Sequence, residues 1–201
     1  GGCDKGVFLD IKKIVVLFSG EGSNMQNIIR KLHKKSFSGA TVEVVAVNTN
    51  NKNAAGIQKA IDLGVHCEVL PHADFGDRES FDRALVALIE SFSPDLTVLA
   101  GFMRILTPVF TDTVNAINIH PSLLPLFKGK DGIKESFESG MRVGGVSVHR
   151  VNEEMDEGEI IAQRCVQILK NDTLESYKQR VHACEHEMYP EAILETLGLL
   201  G

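Results

Sequence analysis

The stretch Asn118-Ile119-His120-Pro121-Ser122-Leu123-Leu124-Pro125 sets a carboxamide and an imidazole two residues apart, directly after the apolar run Val114 to Ile119. If that run is a strand, residues two apart share a face, so both side chains stand together at its carboxyl end. Open α/β sheets hold their ligands at that end of their strands. Pro121 and Pro125 stop the strand and stiffen the turn behind it. An amide donor beside a titratable base suits a reaction in which a carbonyl becomes an oxyanion while a proton moves. A third candidate, Asp156, lies in the turn Met155-Asp156-Glu157-Gly158. Alone it reads as a hairpin carboxylate in water, since Asp and Gly are common turn residues. Folded over the end of the 114–119 strand it would favour a charged His120, orient the ring or share its protons. By themselves His120 could be bonded to a turn carbonyl and Asn118 could be a strand-end residue; the combination is more specific than its parts.

A second constellation is Gly20-Glu21-Gly22-Ser23-Asn24. Glycines let a backbone turn tightly and approach a ligand closely, and a following helix offers free N–H groups to an anion. Ser23 and Asn24 add side-chain donors, so a phosphate cradle is the leading reading. A dinucleotide site competes but lacks its marks. The third glycine of the fingerprint would fall on Met25, and the second strand ends in Asn48 where an acidic residue would meet a ribose. A merely structural glycine turn stays open. Glu21 is an oddity here, because a carboxylate must point away from any bound anion.

The elements that would position these groups alternate. Lys13 to Phe18 is a short continuous apolar run, as in a strand buried on both faces. A helix is expected over 24–35, with Met25, Ile28, Ile29 and Leu32 on one face. Strands follow at 41–48, 65–70, 94–100 and 114–119, and helices at 53–63, 77–92 and 132–139. Residues 144–151 and 159–169 read as a β pair joined by an acidic loop, and 173–197 as a last helix whose Leu174, Tyr177, Val181, Cys184 and Met188 face the sheet. Repeated βα units predict an α/β fold: a mostly parallel central sheet with helices on both faces and an antiparallel edge pair.

The chain has 201 residues, a formal net charge of −6 and 43% hydrophobic residues, which predicts one soluble domain, 1–201. Without a dense basic run, neither nucleic acid nor a membrane surface is an expected partner. No apolar stretch reaches the roughly 20 residues of a membrane span. Gly1-Gly2 without an initiating methionine reads as a trimmed or disordered start, so residues 1–11 stand outside the fold argument. Cys3, Cys67, Cys165 and Cys184 lack CxxC spacing, which predicts free thiols and a cytoplasmic setting. His182 and His186 are four apart around Glu185, but the glutamate precedes the second histidine, so the zinc-protease pattern fails and no metal is expected. Cys184 or Ser122 as a nucleophile lacks an obvious partner base.

The motif Asn118-Ile-His120-Pro-Ser-Leu-Leu-Pro followed by Asp156-Glu157-Gly158 resembles the signature of the 10-formyltetrahydrofolate-dependent formyltransferases. Ser19-Gly-Glu-Gly-Ser-Asn24 and Leu99-Ala-Gly-Phe-Met-Arg-Ile-Leu106 strengthen the likeness, which spans about residues 13–197. The resemblance implies a Rossmann-like three-layer fold and a step of purine biosynthesis. A formyl group would pass from the cosubstrate 10-formyltetrahydrofolate to the amine of glycinamide ribonucleotide. It implies Asn118, His120 and Asp156 as the catalytic set, and Gly22, Ser23 and Asn24 as the phosphate contacts. His182, Ala183, Cys184 and Glu185 would form a further ribonucleotide contact. Met103, Arg104, Ile105 and Leu106 would line the folate cleft, Asn152, Glu153, Glu154 and Met155 would surround the pterin, and Arg78 would meet the glutamate tail. A monomer or homodimer working on small molecules is implied; the alternative is a hydrolase that deformylates the folate. The chain departs from the family pattern at Phe127-Lys128-Gly129-Lys130-Asp131, where many members have a Tyr/Phe-Pro-Gly stretch followed by a histidine.

Overall fold

Ile14 to Phe18 are apolar without interruption because the strand that carries them is covered on both sides. In the computed structural model, which describes residues 10–200, that strand is β1, Asp10–Phe18. Ile14, Val16 and Phe18 enter one core, with Met25, Ile28, Tyr177 and Ile193, while Val15 and Leu17 enter a second, with Phe81, Leu85 and Phe110. The period-2 alternation of a strand thus splits one apolar run between two layers.

After β1 come α1 (Ser23–Leu32), β2 (Lys35–Phe37), β3 (Ala40–Thr49), α2 (Gly56–Asp62), β4 (Cys67–Val69) and α3 (Arg78–Ser91). Then follow β5 (Leu96–Leu99), α4 (Pro108–Thr111), β6 (Ala116–His120), α5 (Gly132–Glu138), β7 (Val143–Arg150), β8 (Ile160–Gln167) and α6 (Leu174–Thr196). The sheet order is β2-β3-β1-β5-β6-β7-β8, with β4 also paired to β3. β3, β1, β5 and β6 run parallel, and β6-β7 and β7-β8 are antiparallel. The chain leaves β1 for β3 on one side and returns to β5 on the other. The carboxyl ends of β1, β5 and β6 therefore open a crevice where such sheets bind ligands.

The mostly parallel sheet with an antiparallel edge pair is as expected, with one addition. The helix expected over 24–35 stops at Leu32, and Lys35–Phe37 turns back as β2, antiparallel to β3. Left-handed backbone at Lys34, Ser38 and Gly39 makes the two tight bends around this three-residue strand. β1 begins at Asp10, inside the 1–11 segment set aside from sequence; residues 1–9, Cys3 among them, lie outside the described residues. Cys67, Cys165 and Cys184 are free thiols, and Cys165 is exposed.

α6 packs against α1 on one side and against β7 and β8 on the other. Thr173 caps it with a reciprocal Thr173–Ser176 capping box. Pro190 lies within it and has no N–H for the carbonyl of His186. That carbonyl instead accepts from Asn27 Nδ2 (2.7 Å) and Lys31 Nζ (3.1 Å), so the missing bond becomes a tie to α1. Tyr177, Val181 and Met188 are buried as the helical spacing predicts, whereas Leu174 is exposed and Cys184 half-buried.

Candidate active site

β6 carries Asn118 and His120 on one face, and β7 lies antiparallel beside it. The register pairs Asn118 with His149 and His120 with Ser147. His120 is 5% exposed, and its Nε2 donates to the Phe127 carbonyl (2.8 Å). Its Nδ1 therefore faces the cleft, 3.6 Å from Asp156 Oδ2. Asp156 comes from the β7–β8 loop with its side chain 8% exposed, and its other oxygen lies 3.7 Å from His149 Nε2. Both separations exceed a hydrogen bond, and the carboxylate sits between the two rings. The Gly129 N–H donates to Asp156 Oδ2 at 2.9 Å. Asp156 has φ 57°, a left-handed conformation that Asp tolerates better than most residues. Gly158 closes the same loop against β7, where a Cβ would run into the Arg150 carbonyl. Among the described residues the Asn118 carboxamide has no hydrogen-bond partner, which leaves its donor free for a ligand.

The second constellation forms the other end of the same cleft. Gly22 caps α1 at φ 71°, and a Cβ there would meet the Gly56 backbone and Met25, so the turn needs a glycine. The first-turn amides of α1 have no intrahelical acceptor, and no acidic residue lies in that turn. Glu21 swings out, 83% exposed at its side chain, and pairs with Lys59 at 3.7 Å. From α6, buried Glu185 accepts from Asn24 Nδ2 (2.8 Å) and faces His182 Nδ1 (3.3 Å). The hydrogen bond to Glu185 raises the His182 pKa against the opposing effect of burial. An imidazole whose charged form is favoured thus stands beside the Gly22–Asn24 turn.

Between the two ends runs an apolar wall. Met103 is 74% exposed and Ile105 49%, facing Met155, 57% exposed, across a cleft of about 870 Å³. The 101–106 segment is pinned at both ends. Ser19 Oγ accepts from the Met103 N–H (2.7 Å) and donates to Asn50 Oδ1 (2.6 Å), and buried Asp82 accepts from the Thr107 N–H and hydroxyl at 2.7 Å each. Arg104 stacks its guanidinium over Phe81, 4.4 Å from the ring centroid.

The cleft gathers Gly22, Ser23, Asn24, Met103 to Leu106, Asn118, His120, Asn152 to Asp156, His182 and Glu185. Ala183 and Cys184 are not in its lining, because helical spacing turns 182 and 185 inward and the two residues between them away. Arg78 is exposed at the first turn of α3, also outside the lining. Ser122 is fully buried and donates to the Leu126 carbonyl (2.5 Å), so its hydroxyl holds the turn. Asn50, His72 and His149 line the cleft without having stood out in sequence, and Lys130 joins them from the stretch that departs from the family pattern. For His149 a signal existed: Ser147 and His149 alternate with Val146 and Val148 on a strand. Its meaning depended on the β6–β7 register.

His149 Nδ1 donates to the Arg150 carbonyl at 2.9 Å, leaving Nε2 as a buried acceptor that nothing satisfies. Burial lowers its pKa below the ordinary 6.5, with the Arg150 carbonyl and Asp156 opposing. The unfolded chain therefore binds more protons than the folded chain once pH drops below that value. Stability present above about pH 6.5 is lost as pH falls toward the folded value. The His149→Gln variant should show a shallower drop of Tm between about pH 7 and pH 5. Equal slopes for the two proteins would assign that acid sensitivity elsewhere.

Comparison with known proteins gives a consistent result. Residues 12–193 match the formyl transferase family model. The phosphoribosylglycinamide formyltransferase of Escherichia coli (strain K12) is 40% identical over 182 residues, covering 90% of this chain and 84% of that protein. The trifunctional purine biosynthetic protein adenosine-3 of Bos taurus is 39% identical over 90% of this chain, which spans 18% of the bovine protein's length. A crystal structure of phosphoribosylglycinamide formyltransferase from Campylobacter jejuni superposes with a TM-score of 0.92 at 49% identity, covering 94% of this chain and 99% of that one.

Proposed function

The chain belongs to the formyl transferase family, and on that premise we propose that it transfers a formyl group from 10-formyltetrahydrofolate to the amine of 5'-phosphoribosylglycinamide, a step of purine biosynthesis. The observation that carries the reading is the convergence of Asn118, His120 and Asp156 on one cleft whose far end is the Gly22–Asn24 cradle. The cradle takes the phosphate and Glu185 takes hydroxyls of the ribose. The apolar wall of Met103, Ile105 and Met155 takes the folate ring system. Arg78 lies outside the cleft lining, so a part for it requires a glutamate tail that extends beyond the cleft along the surface.

The neutral amine attacks the formyl carbon and the carbonyl oxygen gains charge. Asn118 Nδ2, free of other partners, donates to that oxygen. His120 cannot use Nε2 for this, because Phe127 holds it; its Nδ1 edge faces the reacting centre and Asp156 together. Asp156 takes the proton lost by the attacking nitrogen, with His120 Nδ1 as the other station, and a proton returns to N10 of the folate. No covalent enzyme intermediate is required. His149 Nε2 offers a buried acceptor to Asp156 in its protonated form.

The reading places the protein in the cytoplasm, acting on small molecules without a resident metal. No helix of the described residues is long and apolar enough to cross a membrane. The test is turnover of 10-formyltetrahydrofolate by purified protein with and without glycinamide ribonucleotide. Turnover that requires the ribonucleotide and yields its formylated product supports the transferase; formate release independent of it supports a deformylase.

A further inference from the structure

Phe127, Lys128 and Gly129 each grip a different part of the site. The Phe127 carbonyl holds His120 Nε2, the Gly129 N–H holds Asp156 Oδ2, and between them Lys128 Nζ pairs with Glu157 Oε1, on the residue next to Asp156. Phe127 at φ 53° and Gly129 at φ 90° turn the backbone so that successive groups point at these three targets. The Asp156 loop has little else to fix it. Of its neighbours, Glu153, Glu154 and Met155 are exposed, and the loop's internal bonds are the Asn152 side chain to the Glu154 N–H and the Glu157 N–H to the Glu154 carbonyl. A smaller hollow of about 280 Å³ lies behind it, lined by Leu124, Pro125, Lys128, Asp156, Glu157, Gly158 and Ile160. Without a tie across this hollow, the Asp156 loop could sink away from His120.

We propose that Lys128 and Glu157 form a latch between the 127–131 and 152–158 loops that sets the distance between Asp156 and His120, making both positioning residues for the formyl transfer proposed above. Neither side chain lines the main cleft, so neither touches the substrates. Their sites are 38% and 47% exposed, where an ion pair is worth little to global stability. Its effect is instead concentrated on one loop with few other contacts, and a small displacement at a proton-transfer station is felt in rate.

The test is steady-state kinetics on Lys128→Met, Glu157→Gln, Lys128→Glu, Glu157→Lys and the double reversal Lys128→Glu/Glu157→Lys. Each single change should lower kcat about two- to fivefold, the scale of a lost surface pair, with KM for both substrates unchanged and Tm unmoved. The double reversal should recover most of the loss, and Lys128→Arg, which keeps the positive charge, should retain wild-type kcat. High salt should slow the wild type toward the single variants at saturating substrate, and leave Glu157→Gln unaffected. Single variants at wild-type kcat, a double reversal as slow as its parents, or a kcat loss matched by a loss of Tm would each overturn the latch. Wild-type protein in the same assay separates the two readings: if it fails to formylate glycinamide ribonucleotide, the function falls, and if it succeeds while the variants match it, only the latch does.

Discussion

Asn118→Ala should lower kcat about 100- to 1,000-fold while KM for either substrate changes by less than about threefold. The asymmetry follows from where the charge is. In the bound formyl group the carbonyl oxygen is a neutral, moderate acceptor. In the proposed reaction it becomes an anion as the amine adds, and a fixed N–H donor gains most there. Asn118 is placed for this by its strand: β6 is clamped between β5 and β7, so the carboxamide does not have to be ordered when the reaction begins. Nothing else depends on the group, because it makes no side-chain hydrogen bond among the described residues. Truncation leaves no buried partner stranded, and Tm should stay within about 2 °C of wild type. Steady-state kinetics with thermal unfolding of the same preparation check both halves. A kcat within about threefold of wild type would remove Asn118 from the chemistry.

The sequence made this residue visible because its meaning is local. Asn118 and His120 share a face by the two-residue period alone, and the apolar run before them names the strand. The Gly20–Asn24 turn was readable for the same reason, since a glycine turn between a strand and a helix is a local structure. Asp156 needed more: its carboxylate matters only because β7 and β8 fold the intervening loop back over β6, a contact between distant segments. The family motif supplied what spacing could not.

His149 shows the limit more sharply. A histidine on an apolar strand is more often a satisfied core residue, and its place opposite Asn118 follows from the β6–β7 register, which no local pattern fixes. The β2 strand was missed for a different reason. Its polar Lys35-Ser36 continues the end of a helical pattern, and three residues hold too little periodicity to contradict it. α4, a single turn begun by Pro108, is likewise below the length at which apolar spacing speaks. Ala183 and Cys184 lie outside the lining because a contact region taken over as a contiguous block ignores that a helix presents only one of its faces to a cleft.

The Asp156→Asn variant should be the other severe one, with kcat reduced about 100- to 10,000-fold, because in the proposed mechanism it removes the base and keeps the shape. The fold should tolerate it: asparagine accepts the left-handed backbone that Asp156 adopts, and its amide oxygen can still receive the Gly129 N–H. What disappears is the charge between His120 and His149 and the capacity to bind a proton. Wild-type and variant should bind both substrates alike, so the loss should appear in kcat with little change in KM. A merely structural aspartate would give the opposite pattern, with a lower Tm and a kcat near wild type. Coupling provides the stricter check. If Asp156 and His120 move one proton between them, removing either disables the pair, so His120→Ala in the Asp156→Asn background should cost less than about tenfold beyond the single change. Full multiplication of the two losses would mean that the residues act independently, and the 3.6 Å between them would then be proximity without partnership.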